Sequence, residues 1–176
     1  DTLKELAERA AFYKLNQLQL YVEHTFAFSG MSELWAGADP LTAEEILCFD
    51  AYCRQRHIDL VPSLSTFGHM YAILCSDTYS HLCELDKSGE RPYSAVDRMH
   101  HHTLDVSHPG SIALVEEMIG EYAPLFSSGI FNINCDETFD LGKGKNRDLV
   151  MEKGRGRGYL DFLLKIADIV KKHGKR

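Results

Sequence analysis

Hydrophobic positions recur along this chain with two alternating periods. Leu3, Leu6, Ala7 and Ala10 repeat at helical spacing behind Thr2 and Glu5, a pair with the separation of a capping box, so a first helix is expected to end near Lys14. In QLQLYVE, Leu18, Leu20 and Val22 then alternate with Gln17, Gln19, Tyr21 and Glu23, the period of two that marks a strand. Thr42 and Glu45 form a second capping-box pair and open a helix with Ile46, Phe49 and Cys53 on one side, and after His57 the run IDLVPSLS reads as the second strand. Pro109 starts a helix carrying Ile112, Val115, Ile119 and Tyr122, expected to end at residues 127–129, and residues 130–135 make the third strand. Tyr159, Phe162, Leu163, Ile166, Ile169 and Val170 mark a last helix stopped at Gly174.

Single strands alternating with helices imply parallel strands joined by right-handed crossovers. In a doubly wound sheet both strand faces meet helices and should be apolar, whereas a barrel strand can turn one face to a lumen that becomes polar towards the active-site end. Here Gln17, Gln19, Tyr21 and Glu23, then Asp59, Val61, Ser63 and Ser65, then Asn132, Asn134 and Asp136 make three largely polar faces. That favours an α/β fold of the (β/α)8 barrel type. The chain has 176 residues, against about 250 for eight units, so a partial barrel is expected, as a single domain over residues 1–176. The 76–108 connection lacks clear periodicity and is expected to lie over the carboxyl-terminal face of the strands.

Composition narrows the partners. A formal charge of -7 disfavours nucleic acid and anionic membrane, both of which demand a basic face. Five cysteines form no C-x-x-C pair, which fits reduced thiols in a cytoplasmic protein better than a disulfide framework. The opening DTLKELAERAAFYKL has no unbroken apolar run and reads as neither a signal peptide nor a membrane span.

At the carboxyl ends of the strands three segments converge: Glu23-His24-Thr25, the run STFGH ending in His69, and Asp136-Glu137-Thr138. Alternation sends Asn132, Asn134 and Asp136 to the lumen, while Glu137 lies where the pleat no longer fixes direction, so both acids could reach one ligand. Two close carboxylates divide their labour, one holding a proton while the other stays anionic. An Asp-Glu dipeptide alone also fits helix capping or a solvated loop. GKGKNR, residues 142–147, lacks the spacing of a phosphate loop. Consecutive His100, His101 and His102 point in different directions, so no metal site is expected there. Trp35 is read as the anchor of its own loop, and Cys135 as packing with a disfavoured thiolate.

The chain resembles the catalytic barrel of glycoside hydrolase family 20, the β-N-acetylhexosaminidases. FNINCDE resembles the family's apolar strand ending in Asp-Glu, KLNQLQLYVE its second barrel strand, HIDLVPSLSTFGHMYAIL its third strand with a Gly-His pair, and TLDVSHPGS the stretch before the helix that leads to the fourth. The resemblance covers nearly the whole chain and implies an incomplete domain holding the second to fourth strands. It implies Glu137 as general acid/base, Asp136 as the residue orienting the substrate's acetamido group, and His69 in support. Glu23-His24-Thr25 stands where many members have Asp-Asp, which makes Glu23 the substitute partner of His69. Phe67 replaces the proline that often precedes Gly-His.

The implied reaction is removal of terminal β-linked N-acetylhexosamine with retention, the substrate's own acetamido oxygen acting as nucleophile. The implied partner is a carbohydrate, with no cofactor. An incomplete barrel should be inactive by itself and prone to self-association through its open edges. Two alternatives are a non-catalytic sugar-binding barrel and a metal-dependent hydrolase using His24, His69 and Asp136.

Overall fold

A computed structural model describes residues 2–86 and 94–176; residues 87–93, in the middle of the 76–108 connection, and the side chains of Met99 and His100 lie outside the described residues. Helix α1 (Thr2–Phe12) is followed by strand β1 (Gln17–Val22), the short helix α2 (Ser32–Trp35), α3 (Ala43–Arg54) and strand β2 (Asp59–Leu64). Then come α4 (Tyr71–Leu74), α5 (Ala95–His100), α6 (Pro109–Tyr122), α7 (Arg147–Lys153) and α8 (Arg155–Lys172). Among the described residues no helix is long and apolar enough to cross a membrane.

Local chemistry accounts for most boundaries. Thr42 caps α3 as a full capping box: its hydroxyl accepts from the Glu45 N–H at 3.3 Å, and its own N–H donates to Glu45 Oε2 at 2.9 Å. Helix α6 carries Pro109 in its first turn, where a missing N–H costs nothing, and His108 Nδ1 accepts from the Gly110 N–H at 3.0 Å. This helix ends at Tyr122, earlier than its pattern predicts, because Pro124 cannot continue the backbone ladder and the chain tightens into a 3-10 turn at Ala123–Leu125. Thr2 lies inside α1 rather than before it.

Strands β1 and β2 pair in parallel, with Leu18 opposite Leu60, Leu20 opposite Pro62 and Val22 opposite Leu64. One face packs against the helices in a continuous core that includes Val22, Ile46, Phe49, Leu60, Leu64, Val115, Ile119, Phe162 and Ile166. Phe26, Phe28, Phe126 and Phe131 surround the buried ring of Tyr122.

The expected third strand is reduced to one parallel bridge, Ser63 to Asn132, made by Asn132 N–H to Pro62 O at 2.8 Å and Leu64 N–H to Asn132 O at 3.0 Å. Two features stop the ladder from extending. The next bond towards the strand start would need an N–H on Pro62, which has none, and Ile130 N–H turns to Ser128 Oγ at 3.1 Å. In the other direction Asn134 adopts φ 40°, and its N–H is taken at 3.2 Å by the Asn132 side chain, a local bond that competes with the ladder. On its far side the segment bonds Arg176, from Arg176 N–H to Gly129 O at 2.9 Å and from Phe131 N–H to Arg176 O at 3.0 Å, the pattern of a parallel neighbour.

The GKGKNR turn does bind an anion, and the anion is internal. Glu84, fully buried, accepts through Oε1 from the backbone N–H groups of Gly142, Gly144 and Asn146, each at 3.1 Å. Asn146 Nδ2 also donates to Glu84 Oε2, and to Asp105 Oδ1 at 2.7 Å. Gly144 is required for this approach, since a Cβ there would stand 2.1 Å from the Glu84 carbonyl oxygen. The turn that follows the acid pair is thereby fastened to the 76–108 connection. Replacing Glu84 with Ala is expected to cost the protein roughly 3 kcal/mol, because several buried donors lose their acceptor. Urea denaturation followed by circular dichroism measures this, and a loss below about 1 kcal/mol would show that Glu84 does not hold the turn.

Candidate functional site

The polar strand faces share one surface and are stitched together by side chains. Asn132 Nδ2 donates to Gln19 Oε1 at 2.9 Å, the Ser63 hydroxyl donates to Asn134 Oδ1 at 3.0 Å, and the Tyr21 hydroxyl reaches Asp136 Oδ1 and Oδ2 at 3.2 and 3.1 Å. At the carboxyl end of this surface β2 runs into the turn Phe67-Gly68-His69. Phe67 is fully buried, stacked on Tyr159 at 5.4 Å and tilted against Phe162 at 4.7 Å, so its ring pins the turn to α8.

Gly68 lies directly under the acid pair. A Cβ there would come within 2.3 Å of the Asp136 carbonyl oxygen and 3.3 Å of the Glu137 carbonyl carbon, so only glycine lets the two segments touch. His69 follows at φ 56°, and Glu137 sits at φ 49°. Backbone in this region costs energy for a non-glycine residue and persists only where the surroundings impose it. The acid segment is held from outside by the Thr66 hydroxyl on Ile133 O at 2.5 Å, the Tyr159 hydroxyl on Cys135 O at 2.8 Å and Arg155 Nη2 on Thr138 O at 2.5 Å.

His69 is the hub. Its Nε2 lies 3.0 Å from Glu137 Oε2 and 3.5 Å from Asp136 Oδ2, and its Nδ1 lies 3.7 Å from Glu23 Oε1. The imidazole side chain is 8% exposed, against 48% for Asp136 and 42% for Glu137, so two open carboxylates rest on a buried base. The structure thus brings together Glu23, His69, Asp136 and Glu137. His24 reaches Glu23, its Nδ1 3.8 Å from Glu23 Oε2. Tyr21 was legible only as one position on a polar strand face, and its contact with Asp136 came from no motif.

Other singled-out residues have local partners. Trp35 Nε1 donates to Phe28 O at 2.9 Å, tying its own loop. His101 Nδ1 meets the buried Asp140 carboxylate at 3.0 Å, and His102 Nε2 meets the Cys75 thiol at 3.2 Å, so these two rings serve different partners. Among the described residues no three His, Cys, Asp or Glu side chains are grouped to hold a metal ion. Cys135 is buried, and burial pushes its thiol up to about 11.

Burial, reinforced by the neighbouring Asp136 carboxylate, pushes the Tyr21 phenol up to about 12. Cys135 has a folded value above its ordinary 9.0, so the stability it contributes is complete below about pH 9 and is lost as pH rises through 11. The urea midpoint of the protein is expected to be level up to about pH 9 and to fall above it; a midpoint unchanged at pH 11 would contradict the burial of Cys135. Gly68→Ala is expected to displace the Asp136-Glu137 backbone and abolish any activity that depends on the pair, while its crystal structure would show the 2.3 Å clash relieved by movement of one segment.

Comparison with known proteins finds similar chains among the hexosaminidases. No protein-family model matches it. Hexosaminidase D of Homo sapiens is 28% identical over 131 residues, 74% of this chain and 24% of that protein. The chitobiase of Flavobacterium johnsoniae has a TM-score of 0.81 at 24% identity, covering 99% of this chain and 28% of that one. The N-acetyl-β-hexosaminidase of Streptomyces plicatus, solved in complex with Thio-NAglucal, has a TM-score of 0.76 at 24% identity, covering 98% and 34%. The chain spans about a quarter to a third of the length of the curated relatives it matches, 24% and 34%. The resemblance to glycoside hydrolase family 20 seen in the sequence is borne out by these relatives and by the shared fold.

Proposed function

We propose that this chain is part of the catalytic domain of a β-N-acetylhexosaminidase that removes terminal β-linked N-acetylhexosamine by a substrate-assisted, retaining reaction. The observation that carries the reading is the meeting of two adjacent, half-exposed carboxylates on one nitrogen of a buried imidazole, with Glu137 at 3.0 Å and Asp136 at 3.5 Å from His69 Nε2. The order of neighbours β1, β2, residues 130–135 and then Arg176 follows the order in the chain, which supports a segment of barrel wall holding its second to fourth strands.

In this reading Glu137 gives its proton to the glycosidic oxygen and later takes one from water, while His69, bracketed by Glu137 and Glu23, fixes its orientation and buffers its charge. Asp136 accepts the N–H of the substrate's acetamido group and turns the acetamido oxygen onto the anomeric carbon. A double-displacement pair would stand about 5–5.5 Å apart on opposite sides of that carbon. Carboxylates from consecutive residues that rest on one imidazole flank the sugar from a single side, which leaves the nucleophile to the substrate. The activity belongs to the full-length enzyme. The segment alone is expected to show no useful turnover and, since β1 has no outer neighbour among the described residues, to self-associate.

In the full-length enzyme, Glu137→Gln is expected to slow cleavage most for poor leaving groups, by about 10²–10⁴-fold, and least for leaving groups that need no proton. Asp136→Asn should damage N-acetyl substrates whatever the leaving group. A thiazoline that mimics the cyclised intermediate should inhibit strongly, because a site shaped for that species binds its stable mimic more tightly than substrate. Steady-state kinetics on aryl N-acetyl-β-hexosaminides decides the matter: equal mild effects of both changes, or a covalent adduct trapped by a fluorosugar, would defeat the proposal.

A further inference from the structure

Tyr21 touches the acid pair and has no part in the reaction as derived. It stands level with Ser63 and Asn132 in the strand register, and its side chain spans upward to the end of the acid-bearing segment. Its hydroxyl lies 3.1 Å from Oδ2 and 3.2 Å from Oδ1 of Asp136, astride the carboxylate. The ring meets the His69 imidazole edge to face, with centroids 6.0 Å apart and planes at 85°.

Two donors face Asp136 from within the site, and their distances separate their tasks. His69 Nε2 carries at most one proton, and Glu137 at 3.0 Å is the nearer acceptor than Asp136 at 3.5 Å. The imidazole makes its nearer contact with Glu137, so Tyr21, at 3.1 Å, is the closer donor to Asp136.

We infer that Tyr21 is a positioning residue for Asp136: its phenol holds the carboxylate at the angle from which the free lone pairs accept the acetamido N–H. This rests on the function proposed above. Without that bond the carboxylate turns freely about its last torsion, since terminal carboxyl torsions are broad. With it, one orientation is kept, and although Tyr21 is half exposed, partial desolvation and the Asp136 charge hold its phenol protonated well above neutral pH. Tyr21→Phe removes the hydroxyl and keeps the ring against His69, so the variant separates positioning from packing.

The test is a double-mutant cycle in the full-length enzyme, using wild type, Tyr21→Phe, Asp136→Asn and the double variant on 4-nitrophenyl N-acetyl-β-glucosaminide. Tyr21→Phe should lower kcat/KM by roughly tenfold to a hundredfold, the size of a lost hydrogen bond to a charged group, and to the same degree for good and poor leaving groups. In the Asp136→Asn background the same change should have almost no effect. A second readout is independent of turnover: with ¹³Cζ-labelled tyrosine, the Tyr21 resonance at neutral pH should move on Asp136→Asn substitution. Additive losses in an active enzyme, or a Tyr21 resonance blind to that substitution, would overturn the assignment of Tyr21 alone. A correctly folded full-length wild type without hexosaminidase activity would instead overturn the proposed function, and the catalytic use of Tyr21 with it.

Discussion

The site exists because two stretches of backbone come closer than any side chain would allow. Gly68 faces the Asp136 carbonyl so tightly that a single added carbon would stand 2.3 Å from it. Everything chemical around the acid pair inherits its position from that contact. It sets His69 beneath both carboxylates, which stay open to solvent on their other side. It also obliges His69 and Glu137 to adopt left-handed backbone, at φ 56° and 49°. Such conformations are tolerated where surrounding structure over-determines them, and here the anchors are the Phe67 ring in the core, the Tyr159 and Thr66 hydroxyls and the Arg155 guanidinium.

A chain with a formal charge of -7 must also manage the acids it buries. It does so with backbone dipoles more than with cations. Glu84 is held by three N–H groups of the glycine-containing turn, Asp50 by the Ser127 N–H and hydroxyl, each at 3.1 Å, and Asp140 by the His102 N–H at 3.1 Å together with His101. Fixed donors satisfy a carboxylate without bringing a second desolvated charge inside. Two of these clamps, at Glu84 and Asp140, lie on the stretch just after the acid pair, so the loop carrying the site's outer rim is as firmly fastened as the strand that leads to it.

Side chains take over where the backbone ladder is thin. Pro62 withholds one donor and Asn134 diverts another, leaving a single bridge between β2 and the acid-bearing segment. Ser63–Asn134 crosses the same seam, and Gln19–Asn132 and Tyr21–Asp136 tie the segment to β1 beyond it. The polar face therefore has a structural duty besides any role towards a ligand. The same row of residues that lines the site also keeps its strands in register.

Periodicity and short motifs settled a good deal before any coordinates. The alternation of β1, the capping box at Thr42, the amphipathic α8 and the polar face ending in Asp136 are local properties, decided by residues within a few positions of one another, and they reappear in the structure. The Asp-Glu pair after an apolar run and the Gly-His turn are likewise local features of the sequence. Tertiary structure decided what joins residues far apart in the chain. Tyr21 and Asp136 are 115 positions apart, and Glu84 and Asn146 are 62 apart. No local period encodes such meetings, because they depend on strand register and on which backbone groups are left without partners once the elements pack. For the same reason the spacing of GKGKNR excluded a phosphate loop, but the carboxylate that fills it was not legible. The third strand looked complete by its hydrophobic pattern, and the position of Pro62 on the neighbouring strand, together with the turn of Asn134, shows why one bridge remains.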